Sequence, residues 1–285
     1  MLPGVACGGF VFEGALPLLT AHFHVVLFNN PGTDGAPLDR TMSVMSVARQ
    51  ALHVMDELKV PTFHVFGHSM GGFVAQRIAL EAPERVLRMV LMSTSYGGMQ
   101  TERDTHRVMQ DFVHHMRVFH ELYHQRPERV LEMMVAPEFA AKYPEQITAM
   151  AELFAGHKTN PAAVAAHFMC GARFSAFGEV DNITVPALVI HGSADTIVSV
   201  HGARALARHL QKARYLELAG GGHVPFIEKP EVMADVCAFL TGDNTIGEAL
   251  GRAERPTMPE VMADGLWRAG QESLGGIRSL LAMFD

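Results

Sequence analysis

Gly67-His68-Ser69-Met70-Gly71-Gly72 is the stretch that decides how the rest of the chain is read. It stands between an apolar run, Thr62 to Phe66, that reads as a strand and an amphipathic run, Gly71 to Leu80, that reads as a helix. A G-x-S-x-G sequence in that setting makes a turn so tight that the positions two before and two after the serine have no room for a bulky side chain. The serine then sits on a strained backbone, its hydroxyl projecting and the N–H groups of the helix start beside it. Ser69 is therefore the candidate nucleophile, and Met70 a candidate donor to a developing oxyanion. The bland alternative is a Gly-rich turn with a bystander serine.

A hydroxyl is a weak nucleophile near neutrality; it needs a base, and the base needs an orienting acid. Both follow in the order Ser, Asp, His. The apolar run Ala187 to His191 leads into Gly192-Ser193-Ala194-Asp195, and the run Arg214 to Leu218 leads into Gly220-Gly221-Gly222-His223. In a parallel sheet the C-terminal strand ends share one edge, where Ser69, Asp195 and His223 can converge. Asp195 as a plain turn former is the competing account. Among the 16 histidines, His68 and His191 fit turn and strand-end roles better than catalysis. His106, His114, His115, His120 and His124 include a pair at helical spacing. No acidic partner recurs with them, so a solvated face is the better account and no metal is expected.

Working outward, short apolar runs alternate with longer amphipathic ones. His24 to Asn29 and Val86 to Met92 read as further strands, and Thr41 to Leu58 as a further helix. Long connections between Gly- and Pro-bounded strands favour parallel pairing with helical crossovers, so the expected class is α/β, a mostly parallel central sheet flanked by helices. The alternation stops between about Met99 and Glu179. Met109, Phe112, Val113, Met116, Phe119 and Tyr123 form one apolar helical stripe there, and Pro127, Pro137, Pro144 and Pro161 mark helix starts or breaks. The expected organisation is a core of residues 1–98 and 180–243, an all-helical insert at 99–179, and an extension at 244–285 with a helix from Pro259 to Phe284.

The 285 residues suffice for one large domain with such an insert, and 48% apolar against 19% charged residues excludes a disordered or fibrous chain. A net charge of −7 argues against nucleic acid or an anionic membrane surface as partner. No run approaches the apolar length of a membrane helix, and the apolar start lacks a basic region and is broken by Glu13, unlike a secretory signal. Cys7, Cys170 and Cys237 match no metal or redox spacing, which suits a reducing cytoplasm. A soluble cytoplasmic protein acting on a small molecule is expected, with self-association left open.

The chain resembles the α/β-hydrolase superfamily, in the form that carries a helical cap. The likeness runs from Pro3 to about Leu240. It rests on the GHSMGG elbow, on Pro186 to Asp195 (PALVIHGSAD), and on Gly222-His223-Val224-Pro225-Phe226-Ile227-Glu228-Lys229-Pro230, close to the family's GH-x-P-x-x-E-x-P. It implies Ser69 as nucleophile, His223 as base, Asp195 as its orienting acid, an acyl substrate and no cofactor. It also implies a second oxyanion donor after a strand ending in His-Gly. That place falls on Pro3-Gly4, making Val5 the donor and putting proline where the family has histidine.

Only Met1 and Leu2 precede Pro3, so the first strands of the fold, one of them central, are expected to be missing, as in a shortened chain. Each backbone group left unpaired in such a gap costs several kcal/mol. Asn29 to Gly35 (NNPGTDG) stands where the family has D-x-x-G-x-G-x-S, with the glycines kept. Serine at the nucleophile position separates the chain from the dehalogenase and epoxide-hydrolase branches, which use aspartate. The expected activity is that of a carboxylesterase on a small or medium apolar substrate, a Met- and Phe-rich cap being suited to lining its pocket. Lactone, thioester or C–C bond hydrolysis, a perhydrolysis side activity, and a non-catalytic ligand binder that kept the fold are the alternatives.

Overall fold

The computed structural model describes residues 1–97 and 126–253. Among them, β1 (Phe63–His68), β2 (Val86–Met92), β3 (Ala187–Gly192) and β4 (Ala213–Leu218) lie side by side in that order, all parallel. Each falls on an apolar run picked out above. In β2, Met89 and Leu91 enter the core on one face of the sheet, and Val90 and Met92 enter it on the other. A parallel strand covered on both faces reads as a continuous apolar run, which is what the buried stretch Met89 to Met92 shows, Arg88 standing ahead of it in the less buried part of the strand.

On the first face lie α2 (Val44–Glu57) and α3 (Met70–Glu81), the latter packing Val74, Ala75 and Ile78 against the sheet. Ser43 starts α2: its hydroxyl accepts the Ser46 N–H at 3.0 Å while the Ser46 hydroxyl accepts the Ser43 N–H at 2.9 Å. This reciprocal pair satisfies two amides that a helix start leaves without partners. The second face is covered by a 3-10 stretch, Gly9–Ala15, the short α1 (Leu16–Thr20) and, near the C-terminus, a helix at Val232–Thr241.

Between β2 and β3 the described residues hold four helices, α4 (Pro127–Met134), α5 (Pro137–Lys142), α6 (Pro144–Gly156) and α7 (Pro161–Ala172). Each opens on one of the four prolines singled out in the sequence. Proline at the first helical position gives up only an N–H with no helical acceptor, and its fixed φ suits the turn. α8 (Val200–His209) then joins β3 to β4, α9 (Pro225–Glu228) follows the β4 loop, and α10 (Val232–Thr241) is the helix of the second face. The stripe from Met109 to Tyr123, the histidines from His106 to His124 and the helix expected over Pro259 to Phe284 lie outside the described residues.

One expected strand does not form. His24 to Asn29 forms no strand ladder. Its neighbour is only two residues long: Phe28 N–H donates to the Met1 carbonyl at 3.1 Å, and the Met1 amine donates to the Val26 carbonyl at 2.6 Å. On its other side Leu2 bridges β1, donating to the Phe66 carbonyl at 2.8 Å and accepting from the His68 N–H at 3.0 Å. Two residues cannot pair a six-residue strand. Where they stop, a cleft of about 500 Å³ opens between the two segments, lined by Phe23, Val25, Phe28, Phe63 and Val65. The expected break in the sheet lies there.

Candidate active site

Ser69 sits at the turn from β1 into α3 with φ 54° and ψ −122°, a conformation that L residues rarely adopt. The turn is closed so tightly that a Cβ on Gly67 would stand 2.3 Å from the Gly71 carbonyl oxygen. The strain is held by hydrogen bonds to the backbone of Ser69. Ser69 N–H donates to the Met92 carbonyl at 2.9 Å, and the Ser69 carbonyl accepts from Gly72 N–H at 2.8 Å and the Thr94 hydroxyl at 2.9 Å.

Two amides flank this serine. Met70 is the first residue of α3, so its N–H has no acceptor within the helix. Gly4, carried into place by the Leu2 bridge, comes so close that a Cβ there would lie 3.1 Å from Ser69 Cβ and 3.5 Å from Oγ. Val5 follows it, and among the described residues its N–H meets no hydrogen-bond partner. The Leu2 bridge thus brings Gly4, with Val5 next in the chain, beside the serine.

Asp195 and His223 leave the C-terminal ends of β3 and β4 at the same edge. His223 Nδ1 and Asp195 Oδ2 are 2.8 Å apart, both side chains buried. Asp195 Oδ1 accepts the N–H groups of Ile197 at 2.8 Å and Val198 at 3.0 Å. Burial pushes this carboxyl up, but the charge of His223 and hydrogen bonds from His191 and His223 outweigh it and hold it well below 3.8. With a carboxylate as acceptor, Nδ1 carries the proton and Nε2 is left as the basic nitrogen. Ser69 adjoins the pair through its neighbour: His68 Nε2 lies 2.8 Å from the His223 carbonyl oxygen, and the two rings are 5.0 Å apart. Among the described residues no hydrogen bond joins Ser69 Oγ to His223. Bonds of this kind often tighten only when substrate is bound.

Several residues at this edge have roles that the sequence reading did not give them. His191 Nε2 lies 3.2 Å from Asp195 Oδ2 and 2.9 Å from the Val198 carbonyl, making it a second partner of the acid and not only a strand-end residue. His68, read as a turn residue, is buried; burial above all, and then the charge of His223, lowers its pKa to about 3. Glu228 accepts N–H groups from Gly222 at 2.9 Å and Ala136 at 2.8 Å, while His223 N–H donates to the Met134 carbonyl at 2.7 Å. These bonds tie the His223 loop to the junction of α4 and α5. The place of Glu228 in the GH-x-P-x-x-E-x-P stretch was its one sequence signal. Asn30 had none: its buried Nδ2 donates to the carbonyls of Pro3 (3.3 Å), Gly4 (2.8 Å) and Cys7 (3.2 Å).

A strained serine between a parallel strand and a helix, with a buried Asp–His pair at the same sheet edge, belongs to one structural class. The model of the alpha/beta hydrolase fold matches residues 1–230, and the chain belongs to that family. It is 28% identical over 239 residues to the pimeloyl-[acyl-carrier protein] methyl ester esterase of Nitrosomonas europaea, covering 81% of this chain and 90% of that one. It is also 26% identical over 229 residues to the putative carbamate hydrolase RutD of Pseudomonas syringae pv. syringae, covering 80% and 86% of the two chains. The solved enol-lactonase from Burkholderia xenovorans LB400 superposes with a TM-score of 0.70 at 22% identity, over 84% of this chain and 89% of that one, a likeness of fold alone. The chain is a hydrolase of this fold.

Proposed function

We propose that the protein is a serine carboxylesterase acting on a small or medium apolar ester, with Ser69 as nucleophile, His223 as base and Asp195 as the acid that orients it. The observation that carries this reading is the 2.8 Å His223–Asp195 contact on the sheet edge that also holds the strained Ser69. As Ser69 Oγ attacks the acyl carbon, His223 Nε2 takes its proton. Asp195 holds the proton on Nδ1 and balances the imidazolium charge. The oxyanion forms facing the Met70 and Val5 N–H groups, which stabilise its charge. His223 then gives its proton to the departing alcohol; afterwards it deprotonates the water that attacks the acyl carbon and returns that proton to Ser69 Oγ as the acyl bond breaks and the acid leaves.

Esters come first because an esterase is among the relatives and because the site supplies a nucleophile, a base and two amides with no other reactive group among the described residues. A chain-length panel of p-nitrophenyl esters, assayed on the wild type and on Ser69→Ala, tests the reading. The serine variant is expected to lose roughly 10⁴- to 10⁶-fold in kcat. Near-normal turnover in that variant overturns the assignment. Failure of the folded wild type to react at Ser69 with a fluorophosphonate probe favours a ligand binder that kept the fold.

A further inference from the structure

We infer that His167, a buried histidine on α7 far from Ser69 in sequence, is a positioning residue that holds the Val5 amide in place for the oxyanion. The inference rests on the serine-hydrolase reading above. The turn from Gly4 to Cys7 carries Val5, and its own closing bond, Cys7 N–H to the Gly4 carbonyl, is long at 3.4 Å. Ala6 at its centre has φ 60°, a conformation that costs a non-glycine residue about 1–2 kcal/mol. A turn with one weak bond and a strained centre must be held from outside.

The holding groups come from two directions. From the core loop, Asn30 Nδ2 binds the Pro3, Gly4 and Cys7 carbonyls. From the insert, His167 Nδ1 accepts the Ala6 N–H at 3.0 Å, and the Thr159 hydroxyl donates to the Ala6 carbonyl at 3.0 Å. Since Nδ1 accepts, the proton of His167 sits on Nε2, which donates to the Pro31 carbonyl at 2.8 Å. One imidazole therefore links the turn at Ala6 to the loop that carries Asn30, and Asn30 links back to the turn. His167 is fully buried, and burial lowers its pKa to about 4, so it keeps this neutral form near neutrality. The frame that carries it is also fixed: Asp34 N–H donates to the Lys158 carbonyl at 2.8 Å and Asn160 N–H to the Gly32 carbonyl at 2.9 Å, just ahead of α7. With the Ala6 N–H taken by His167 and the Cys7 N–H by the Gly4 carbonyl, Val5 is the inner amide of the turn with no acceptor among the described residues, next to the Gly4 that abuts Ser69.

The test compares His167→Leu, which removes the acceptor, with His167→Asn, whose side-chain oxygen can stand near the place of Nδ1. Val164→Ala, at a buried apolar position on the same helix, controls for loss of stability. Each is scored for the second-order rate of Ser69 labelling by a fluorophosphonate, for kcat and KM on a p-nitrophenyl ester, and for Tm. His167→Leu is expected to slow labelling and lower kcat by roughly 10- to 100-fold with KM within about threefold, less than the roughly 10²- to 10³-fold cost of losing an oxyanion donor outright, because the Val5 amide is loosened and not removed. His167→Asn should recover most of this, and Val164→Ala should lose Tm without losing rate. If the leucine variant does not fold, Thr159→Val, at a part-buried hydroxyl, carries the test and should be several-fold slower. A folded variant lacking either bond that labels at the wild-type rate overturns the inference and leaves the hydrolase reading standing. A wild type that does not label overturns both.

Discussion

At the scale of single residues, the site divides into groups that a local motif announces and groups that only folding brings in. Glu228 joins the two kinds, since its carboxylate accepts two amides at once, from Gly222 and Ala136. Glu228→Gln leaves one good acceptor for two donors and turns an NH₂ toward one of them. It should destabilise the protein by about 1–3 kcal/mol and lower kcat by roughly tenfold as the His223 loop loosens. Urea unfolding and ester turnover measure the two effects, and an unchanged kcat in a destabilised variant would remove the link to His223. Ser69, Asp195 and His223 were legible because each sits in a loop whose glycines and flanking strands are contiguous in sequence. His167 and Asn30 were not, because their roles depend on carbonyls and amides 161 and 26 residues away. No spacing rule encodes those contacts; they exist only once α7 has packed.

Among elements, the strands and helices of the sheet were readable wherever each had a full-length neighbour. Val86 to Met92 became β2 because β1 and β3 flank it, whereas the equally apolar His24 to Asn29 stayed without a ladder beside two residues. Strand formation is a property of the pair, and the pattern of one member cannot report the length of the other. The cleft left at that point makes its own prediction. The Met1 amine is buried there, and burial lowers its pKa from 8.0 to about 5. At pH 7 keeping it uncharged costs about 1.4 kcal/mol. Adding four residues of alternating valine and threonine ahead of Met1 replaces the amine by an amide and offers backbone to the open edges of β1 and of residues 24–28. Tm should rise by roughly 3 °C or more, and a Gly-Ser extension of equal length should give less. Equal or lower Tm for the valine–threonine form would show that the cleft does not accept a strand.

For the whole molecule, the buried bases set how stability follows pH. The Met1 amine, lowered by burial from 8.0 to about 5, His68, lowered by burial and His223 from 6.5 to about 3, and His167, lowered by burial from 6.5 to about 4, all stay uncharged in the fold. His64 is lowered from 6.5 as well, by burial and then by Arg88. In the unfolded chain these groups return to their ordinary values, so the unfolded state binds more protons and stability rises with pH. The amine leads above about pH 7, and the histidines, with ordinary values of 6.5, join from there downward. Near pH 6 unfolding should take up roughly two protons, a slope of about 3 kcal/mol per pH unit. Asp195, held below 3.8, adds a loss of the same sign at still lower pH, whereas Glu228, raised above 4.5 by burial, works the other way. Urea unfolding at pH 5.5, 6.5 and 8 should show the midpoint climbing throughout and most steeply in the lower interval. His68→Gln should flatten mainly that lower interval, since most of its proton uptake falls there and the smaller part above pH 6.5. A midpoint independent of pH across the whole range would mean that these groups are charged in the native protein, and that the tautomers assigned to His68 and His167 are wrong.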